Sequence, residues 1–445
     1  MTVTLRWSDL ASGRAIAAVG ERVRLEGWLS EPDLTGARVL VAEPPCCPGC
    51  LPGPAPARVR VPGGRHLPRG AVRLEGTLRG SDGSDGSGWQ LAEARSLAQG
   101  FGRRRALAAA PLLCLAAAAP EVDPRQVTAD SVTVDVHSHA GKLLYVKSGA
   151  AFSPLAEPMR QGGLAVVCLA IVSDAPTHKV IDGRIHPYRD PAPGELYAYS
   201  QLAFARLHAL VQQQSLSVIT DAAGMQAARG GHPSAVVAAE GADFLEGDLS
   251  RVDEAYTRWG LRHLQLTHYR VNELGDIQTE QPVHGGLTDF GAAVIQRCNA
   301  RGIVVDVAHG TIELVRRAVA VTSKPLLRSH TSLTTRPRPF TRLIAPEHAS
   351  LVASTGGMIG IWPVAELFPD MAALAGGIAR MAAVVGVDHV GLGTDSMGLV
   401  GEATFTTYDK LPGLTSALLA AGFGPGDLRK IMGGNYARIF NVSMA

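Results

Sequence analysis

Residues that bind metal ions or move protons lie at, or just past, the ends of six short hydrophobic runs. These runs are rich in Val, Ile and Leu, and each is followed by a loop or a helical pattern, which is typical of buried parallel strands. In a closed barrel of alternating strands and helices, the carboxyl ends of the strands meet on one face. The pattern therefore predicts a metal-dependent hydrolase whose site gathers His137, His139, Glu240, His268, His309, His330 and Asp395.

Five of these residues form the predicted metal site. His137 and His139 are two positions apart, so both imidazoles point to the same face of a strand. Glu240 ends another run, and its two carboxylate oxygens can bridge two cations. With His309 and His330 completing the second position, the set predicts two zinc ions that together activate a bridging water and polarise a carbonyl. A single His-x-His pair on its own would be incidental more often than functional.

Three further residues are candidates for proton transfer and substrate binding. Asp395 can take the proton of the attacking water and pass it to the leaving amine, although an Asp here could also be only a helix N-cap. We expect His268 to hydrogen-bond the substrate carbonyl or the oxyanion. Arg342 can form a fork on a substrate carboxylate. A solvated loop arginine is the competing interpretation, and Arg336 and Arg338 are rivals for the role.

Strand and helix patterns alternate throughout residues 131–445. Eight strand–helix units of this kind are typical of an α/β fold, the (β/α)8 or TIM barrel, with insertions. The long segment at residues 173–195 follows the second strand, and we expect it to cover the mouth of the barrel, the alternative being an ordinary surface insertion. The predicted strands are residues 132–137, 164–172, 235–240, 261–267, 303–308, 325–329, 357–361 and 389–393.

Residues 1–100 predict a separate small all-β domain. Short alternating strands, predicted at residues 22–29, 38–42, 58–61, 71–78 and 89–92, are separated by Gly/Pro turns. The pattern favours a small barrel or sandwich, and we predict an OB-like barrel. The cysteine loop of Cys46, Cys47 and Cys50 has no second pair at zinc-finger spacing, so a metal-binding loop and a plain Cys-rich turn both stay open.

Residues 101–130 predict an Ala/Pro-rich linker. Residues 103–120 resemble a twin-arginine export signal, but they lie too far from the start of the chain to act as one. A bilayer span needs about 20 apolar residues, and this run is shorter and contains Pro111. We therefore expect a linker helix, no transmembrane span and a cytoplasmic protein, with a periplasmic location left open.

The composition indicates which kinds of molecule the chain is suited to bind. A chain of 445 residues exceeds one ordinary domain, and 46% hydrophobic with 18% charged residues suits a sizeable core. The net charge of +2 predicts no nucleic-acid surface. We expect a small-molecule substrate, and a homodimer stays open.

Seven short motifs occur in order between residues 130 and 442, at residues 239–241, 259–268, 286–291, 306–309, 329–332, 386–395 and 433–436. Together they resemble the renal (membrane) dipeptidase family, peptidase family M19 of the amidohydrolase superfamily. The resemblance implies a binuclear zinc barrel that cleaves dipeptides. It implies metal roles for His137, Glu240, His309 and His330.

The resemblance also implies substrate contact by His268, acid–base work by Asp395 and carboxylate binding by Arg342, where the alignment needs a one-residue gap. The first strand departs from the family pattern. The family usually has His-x-Asp there, whereas this chain has His137 and His139. A neutral ligand in place of an anion makes the site more positive, so the resemblance supports hydrolase chemistry more strongly than dipeptide specificity.

Three other functions stay open. A related binuclear amidohydrolase would act on an N-acyl amino acid or a lactone, and a substrate panel would separate it from a dipeptidase. A mononuclear deaminase also uses His-x-His, two further histidines and an aspartate, but Glu240 offers a bridging ligand that such an enzyme does not need. A non-catalytic binding protein on a retained barrel is disfavoured by the full ligand set together with Asp395.

We predict that residues 1–100 are dispensable for hydrolysis, because they supply none of the proposed ligands and are joined through an Ala/Pro-rich boundary. A chain beginning at Gly100 should fold and keep the kcat/KM of the full-length protein. A soluble, metal-loaded but inactive product would show instead that the small domain helps to shape the site.

Overall fold

The structure, a computed structural model, divides the chain into two compact units, Met1–Ala117 and Ala118–Ala445. The predicted domain limits at residues 100 and 130 fall outside the described residues and stay predictions, as do the interpretations of the cysteine loop and of residues 103–120. The residues described are 3–4, 22–29, 38–41, 59–61, 70–80, 89–96, 123–129, 131–146, 149–334 and 339–445.

The described part of the N-terminal unit is all β. Its strands are β1 (Val3–Thr4), β2 (Arg22–Leu29), β3 (Arg38–Val41), β4 (Val59–Val61), β5 (Gly70–Gly80) and β6 (Trp89–Ser96). Pairings β2–β3, β3–β4, β4–β6, β6–β5 and β5–β2 close a ring of five strands, while β1 runs parallel to β2. Val23, Leu74 and Leu91 are fully buried. The described strands agree with the predicted small all-β domain and have the strand number of an OB-like barrel.

Eleven described strands belong to the second unit. They are β7 (Val134–Ser138), β8 (Val166–Val172), β9 (His178–Ile181), β10 (Arg184–Pro187), β11 (Ser217–Val218), β12 (Ser234–Glu240), β13 (Leu261–Gln265), β14 (Val304–Asp306), β15 (Leu326–Thr331), β16 (Met358–Ile361) and β17 (Val390–Leu392). Eight of them close a parallel barrel in the order β7–β8–β12–β13–β14–β15–β16–β17. The predicted (β/α)8 barrel is therefore confirmed, and each predicted strand overlaps an observed one.

Helices lie between the barrel strands and cover them. They are α1 (Pro124–Ala129), α2 (Ala156–Gly162), α3 (Glu195–Gln213), α4 (Ala222–Ala227), α5 (Ser250–Trp259), α6 (Asp289–Arg301), α7 (Ile312–Val321), α8 (Pro346–Ser354), α9 (Met371–Val385), α10 (Leu411–Ala420), α11 (Pro425–Arg429) and α12 (Asn435–Met444). Polar side chains cap the N-termini of several helices. Those of Thr288, Thr311 and Asp370 accept hydrogen bonds from backbone N–H groups in the first turns of α6, α7 and α9. Among the described residues, no helix combines the length and apolar character needed to cross a bilayer.

The packing of the core explains why the sequences of the barrel strands are continuous apolar runs. Every residue of β8 and of β12 is buried, because one face of each strand meets helices and the other faces the barrel interior. Alternating residues such as Val166, Cys168 and Ala170 pack inward against Tyr436 and Phe440 of α12. The C-terminal helix thus contributes to the packing of the barrel interior.

Gly360 of β16 and Gly393, directly after β17, lie so close to the backbone of β15 that only glycine fits. A Cβ at Gly360 would lie 1.9 Å from the Ser329 carbonyl oxygen, and one at Gly393 only 1.7 Å from the same atom. Both distances are far inside van der Waals contact, and the obstructing atom is backbone. The glycines therefore set the spacing of the strands that carry His330 and lead to Asp395.

We predict that Gly393→Ala destabilises the barrel by about 3 kcal/mol or more, at or beyond the upper end of the usual overpacking range. The free energy of unfolding in urea measures this effect. Gly231→Ala is the matched control, because a Cβ there meets nothing within 4 Å. Equal stability of the two variants would contradict the close approach described above.

Candidate active site

The structure brings the seven predicted residues together at the carboxyl ends of the barrel strands. His137 and His330 lie within β7 and β15, Glu240 is the last residue of β12, and His139 directly follows β7. The other three lie outside the strands. His268 is three residues beyond the end of β13, His309 three beyond β14 and Asp395 three beyond β17. All seven side chains are buried.

The carboxylate of Glu240 lies at the centre of this group. Its Oε1 is 3.2 Å from Nε2 of His309, 3.3 Å from that of His330 and 3.4 Å from that of His137. Its Oε2 is 3.1 Å from Nε2 of His139 and 3.3 Å from that of His268. The carboxylate therefore contacts imidazoles from four strand ends at once, as a ligand shared by two cations would.

Two pairs of imidazoles face each other with the same ring nitrogen. The Nε2 atoms of His137 and His139 are 3.3 Å apart, and those of His309 and His330 are 3.1 Å apart. Two nitrogens that face each other can share only one proton. At least one Nε2 in each pair is therefore unprotonated and has a lone pair that can bind a metal ion. Imidazole nitrogens and carboxylate oxygens are the donors that zinc prefers. The residues present therefore fit a metal centre.

Partners on the outer side of the rings fix their orientation. Nδ1 of His139 donates to the Ala170 carbonyl oxygen at 2.7 Å, and Nδ1 of His330 lies 2.8 Å from Oγ of Ser329. Because these contacts engage Nδ1, they leave Nε2 turned towards Glu240. Such outer contacts commonly set the tautomer of metal-binding histidines.

Charge interactions oppose the cost of burying Glu240. Burial alone would raise the pKa of its carboxyl group, but the charges of His268 and His137 and hydrogen bonds from His137 and His139 hold the pKa well below the usual value. Burial lowers the pKa of His330 to about 4 and that of His309 as well. These two rings are thus favoured in the neutral form, which is the form that binds metal.

Asp395 does not act as a helix cap. Its backbone is left-handed with a φ of 50°, and Gly398 donates its backbone N–H to the Asp395 carbonyl in a tight turn, so no helix begins there. His309 is also left-handed, with a φ of 65°. Non-glycine residues in this region are strained and concentrate at functional sites. The carboxylate Oδ1 of Asp395 lies 3.3 Å from Nε2 of His139.

Two buried carboxylates beneath the site were not singled out from the sequence. Asp135 accepts hydrogen bonds from the Thr394 hydroxyl at 2.5 Å and the Tyr408 hydroxyl at 2.7 Å. Asp306 accepts the backbone N–H of Ser329 at 3.1 Å. Each precedes a predicted ligand on its strand by two or three residues, and a charged residue inside an apolar run was the signal available.

His263 of β13 contacts one of these carboxylates. Its Nε2 lies 3.1 Å from Oδ2 of Asp306. The imidazole therefore partners a buried carboxylate, which links β13 to β14 beneath the site.

A third carboxylate, Asp174, holds His268. Its Oδ1 accepts Nδ1–H of His268 at 2.7 Å, and its Oδ2 accepts the backbone N–H of Tyr269 at 3.1 Å. The ring of His268 is consequently fixed with Nε2 towards Glu240. Asp174 follows β8, where the sequence predicted no site residue, and only the folded barrel brings it to His268.

The site opens into a cavity of about 680 Å³. The hairpin of β9 and β10 covers part of it, with Gly183, Arg184 and Ile185 in the lining. Arg184 donates to the Phe340 carbonyl oxygen at 2.8 Å, which ties the hairpin to the loop on the far side. The segment at residues 173–195 therefore lies at the mouth, where it was expected.

Arg342 lies in the wall of the same cavity. Its side chain is largely buried, with Nη2 donating to the His330 carbonyl oxygen at 3.3 Å and Cζ 5.7 Å from the centre of the Trp362 ring. The interpretation as a solvated loop arginine is therefore wrong. Its rivals Arg336 and Arg338 lie outside the described residues.

Residues 146–443, more than half of the chain, match the family model for membrane dipeptidase, peptidase family M19. The chain belongs to this family. Dipeptidase aclJ of Aspergillus oryzae is 31% identical over 218 residues, 47% of this chain and 51% of that protein. The match thus spans about half the length of this curated relative.

Solved structures show the same barrel. The probable dipeptidase PvdM from Pseudomonas aeruginosa superposes with a TM-score of 0.61 at 16% identity, covering 72% of this chain and 97% of that one. A second structure is a metallo peptidase from Rhodobacter sphaeroides, liganded with a phosphinate mimic of the dipeptide L-Ala-D-Ala. It superposes with a TM-score of 0.58 at 19% identity, covering 70% of this chain and 99% of that one. At these identities the likeness establishes the fold.

We predict that purified protein binds about two zinc ions per chain, the number of a binuclear site. Glu240→Ala should lose most of this metal, because the central carboxylate contacts both sets of imidazoles. Elemental analysis of dialysed protein measures the content. The control Glu366→Ala removes an exposed carboxylate at the cavity rim and should keep both ions. Unchanged content in Glu240→Ala would rule out the bridging role.

Proposed function

We propose that this protein is a zinc-dependent dipeptidase that hydrolyses the peptide bond with water at a binuclear site. The observation that carries the proposal is the position of Glu240, whose carboxylate oxygens lie within 3.4 Å of the imidazoles of His137, His139, His309 and His330. Membership of the membrane dipeptidase family and the likeness to a curated dipeptidase support the substrate class.

In this proposal Glu240 belongs to both metal positions. His137 and His139 complete one position, and His309 and His330 complete the other. Zinc ions held there supply Lewis-acid activation of water and of the scissile carbonyl. Glu240 compensates part of their charge in a buried place where water cannot do so.

Asp395 is the proposed proton carrier. Burial opposes its ionisation, but the hydrogen bond from His139 and the charge of that imidazole hold its pKa below the usual value. It is therefore a carboxylate at neutral pH, ready to take a proton from the attacking water. It then delivers that proton to the leaving amine nitrogen as the C–N bond breaks.

His268 and Arg342 position the substrate. Because Asp174 holds Nδ1 of His268, the other nitrogen faces the reacting centre, where a donor stabilises the carbonyl oxygen as it gains charge. Arg342 offers its guanidinium to the substrate's terminal carboxylate. The β9–β10 hairpin shields the site from bulk water, which strengthens both interactions.

The substrate class is tested with zinc-loaded full-length protein on a panel of dipeptides, N-acetyl amino acids and lactones. Hydrolysis of dipeptides in preference to the other two classes is the expected result. Turnover confined to N-acyl amino acids or lactones would replace the dipeptidase by a related amidohydrolase, and one metal per chain with ammonia release would indicate a deaminase.

We predict that Asp395→Asn keeps its fold and metal but loses about 10²–10⁴-fold in kcat, the usual contribution of a general acid–base group. Asn preserves the shape and can still accept a hydrogen bond, but it cannot carry the proton. The surface variant Asp289→Asn is the control for loss of a charge. A near-normal kcat in Asp395→Asn would remove Asp395 from the chemistry, and lost metal would make it a ligand.

A further inference from the structure

Several buried polar atoms in the cavity wall have no hydrogen-bond partner among the described residues, and two of them are donors on neighbouring side chains. They are Nη1 of Arg342 and Nε1 of Trp362, and both side chains line the cavity above the metal-binding residues. A buried donor without a partner is costly, and in native structures such atoms commonly have a function. The role proposed for Arg342 accounts for one of them, but the indole N–H has no role yet.

The surroundings hold both groups in place. Trp362 directly follows β16, and its backbone N–H donates to the Thr331 carbonyl oxygen at 3.0 Å. Its ring centre lies 6.2 Å from that of His330 and 5.7 Å from Cζ of Arg342. Arg342 is anchored through Nη2 to the His330 carbonyl. The two donors therefore belong to one wall beside a proposed metal ligand.

We propose that Trp362 determines specificity by donating its indole N–H to one oxygen of the substrate's terminal carboxylate, while Nη1 of Arg342 donates to the other. This inference rests on the proposed function for the identity of the substrate. A carboxylate only accepts hydrogen bonds, so it satisfies both donors. A terminal amide turns its own N–H groups towards one of them and leaves that donor unsatisfied, which is how sites reject close analogues.

The chain order supports a role for this residue. The seventh predicted strand, at residues 357–361, contributes no metal ligand and no proton carrier, and Trp362 is the first residue beyond its end. In a barrel, residues at this end of a strand build the site. The one polar atom of this indole is the unpartnered one.

The test compares an acid with its amide in the metal-loaded full-length protein. The probes are the phosphinate analogue of alanyl-alanine, which is not cleaved, and the same analogue with a terminal carboxamide. Calorimetric titration gives the ratio of their dissociation constants. Trp362→Phe keeps an aromatic ring beside Arg342 but removes the N–H together with the fused second ring. The control Trp259→Phe makes the same change at an N–H that already has a partner, Oε1 of Gln201, at 3.0 Å.

The parent should bind the acid more tightly than the amide, and Trp362→Phe should reduce that preference roughly tenfold, the worth of a hydrogen bond to a charged group. Trp259→Phe should leave the ratio unchanged. Thermal melting and zinc content of the variants verify that fold and site are intact. An unchanged ratio in Trp362→Phe, or no preference for the acid in the parent, would overturn the inference.

The inference and the proposed function fail in different ways. If dipeptides are hydrolysed but the acid preference does not depend on Trp362, only the inference falls. If the preference depends on Trp362 but no dipeptide is hydrolysed, the carboxylate-binding role of Trp362 is retained and the dipeptidase proposal is rejected. If the parent binds neither phosphinate, the inference is overturned and the dipeptidase proposal loses its main support.

Discussion

The burial of one carboxylate imposes the main constraint on the barrel mouth. Glu240 is almost inaccessible to water, so its charge must be compensated by protein groups or by bound cations. Five imidazoles surround it within 3.4 Å, and each comes from the carboxyl end of a different strand except the pair on the first. A change of register in any of these strands would expose an uncompensated charge, which couples the chemistry to the stability of the fold.

A second tier of buried polar groups makes this arrangement rigid. Asp135, Asp174 and Asp306 each accept backbone N–H groups as well as side-chain donors, so they fix the chain direction where the strands end. The close glycine contacts of β16 and β17 with Ser329 bring the neighbouring strand ends into the same small space. The barrel therefore supplies its functional groups at fixed positions, as preorganised sites require.

The sequence was sufficient to predict the barrel and to predict that seven polar side chains lie together at its mouth, because both follow local rules. Apolar runs locate the strands, and the topology of parallel strands places their ends together. Asp174 and Trp362 follow strands with no recognisable metal-ligand pattern, and their roles arise only from neighbours distant in the chain. The β9–β10 hairpin was expected only as a covering segment, since its pairing depends on turn geometry within an insertion. The role of Asp395 as a helix cap was excluded by a left-handed backbone that no sequence pattern had signalled.

The histidine at position 139 links the metal site to the choice of substrate. Where the family pattern has an aspartate, this chain has a histidine, so Glu240 and Asp395 are the carboxylates that face His139. Two divalent cations beside these two carboxylates would leave a net positive charge, and a buried positive site favours a substrate that carries an anion. Arg342 adds a further positive charge in the same wall. The site is consequently suited to a substrate with a free carboxylate, and the indole N–H of Trp362 adds geometric selection to an attraction that charge alone would leave unspecific.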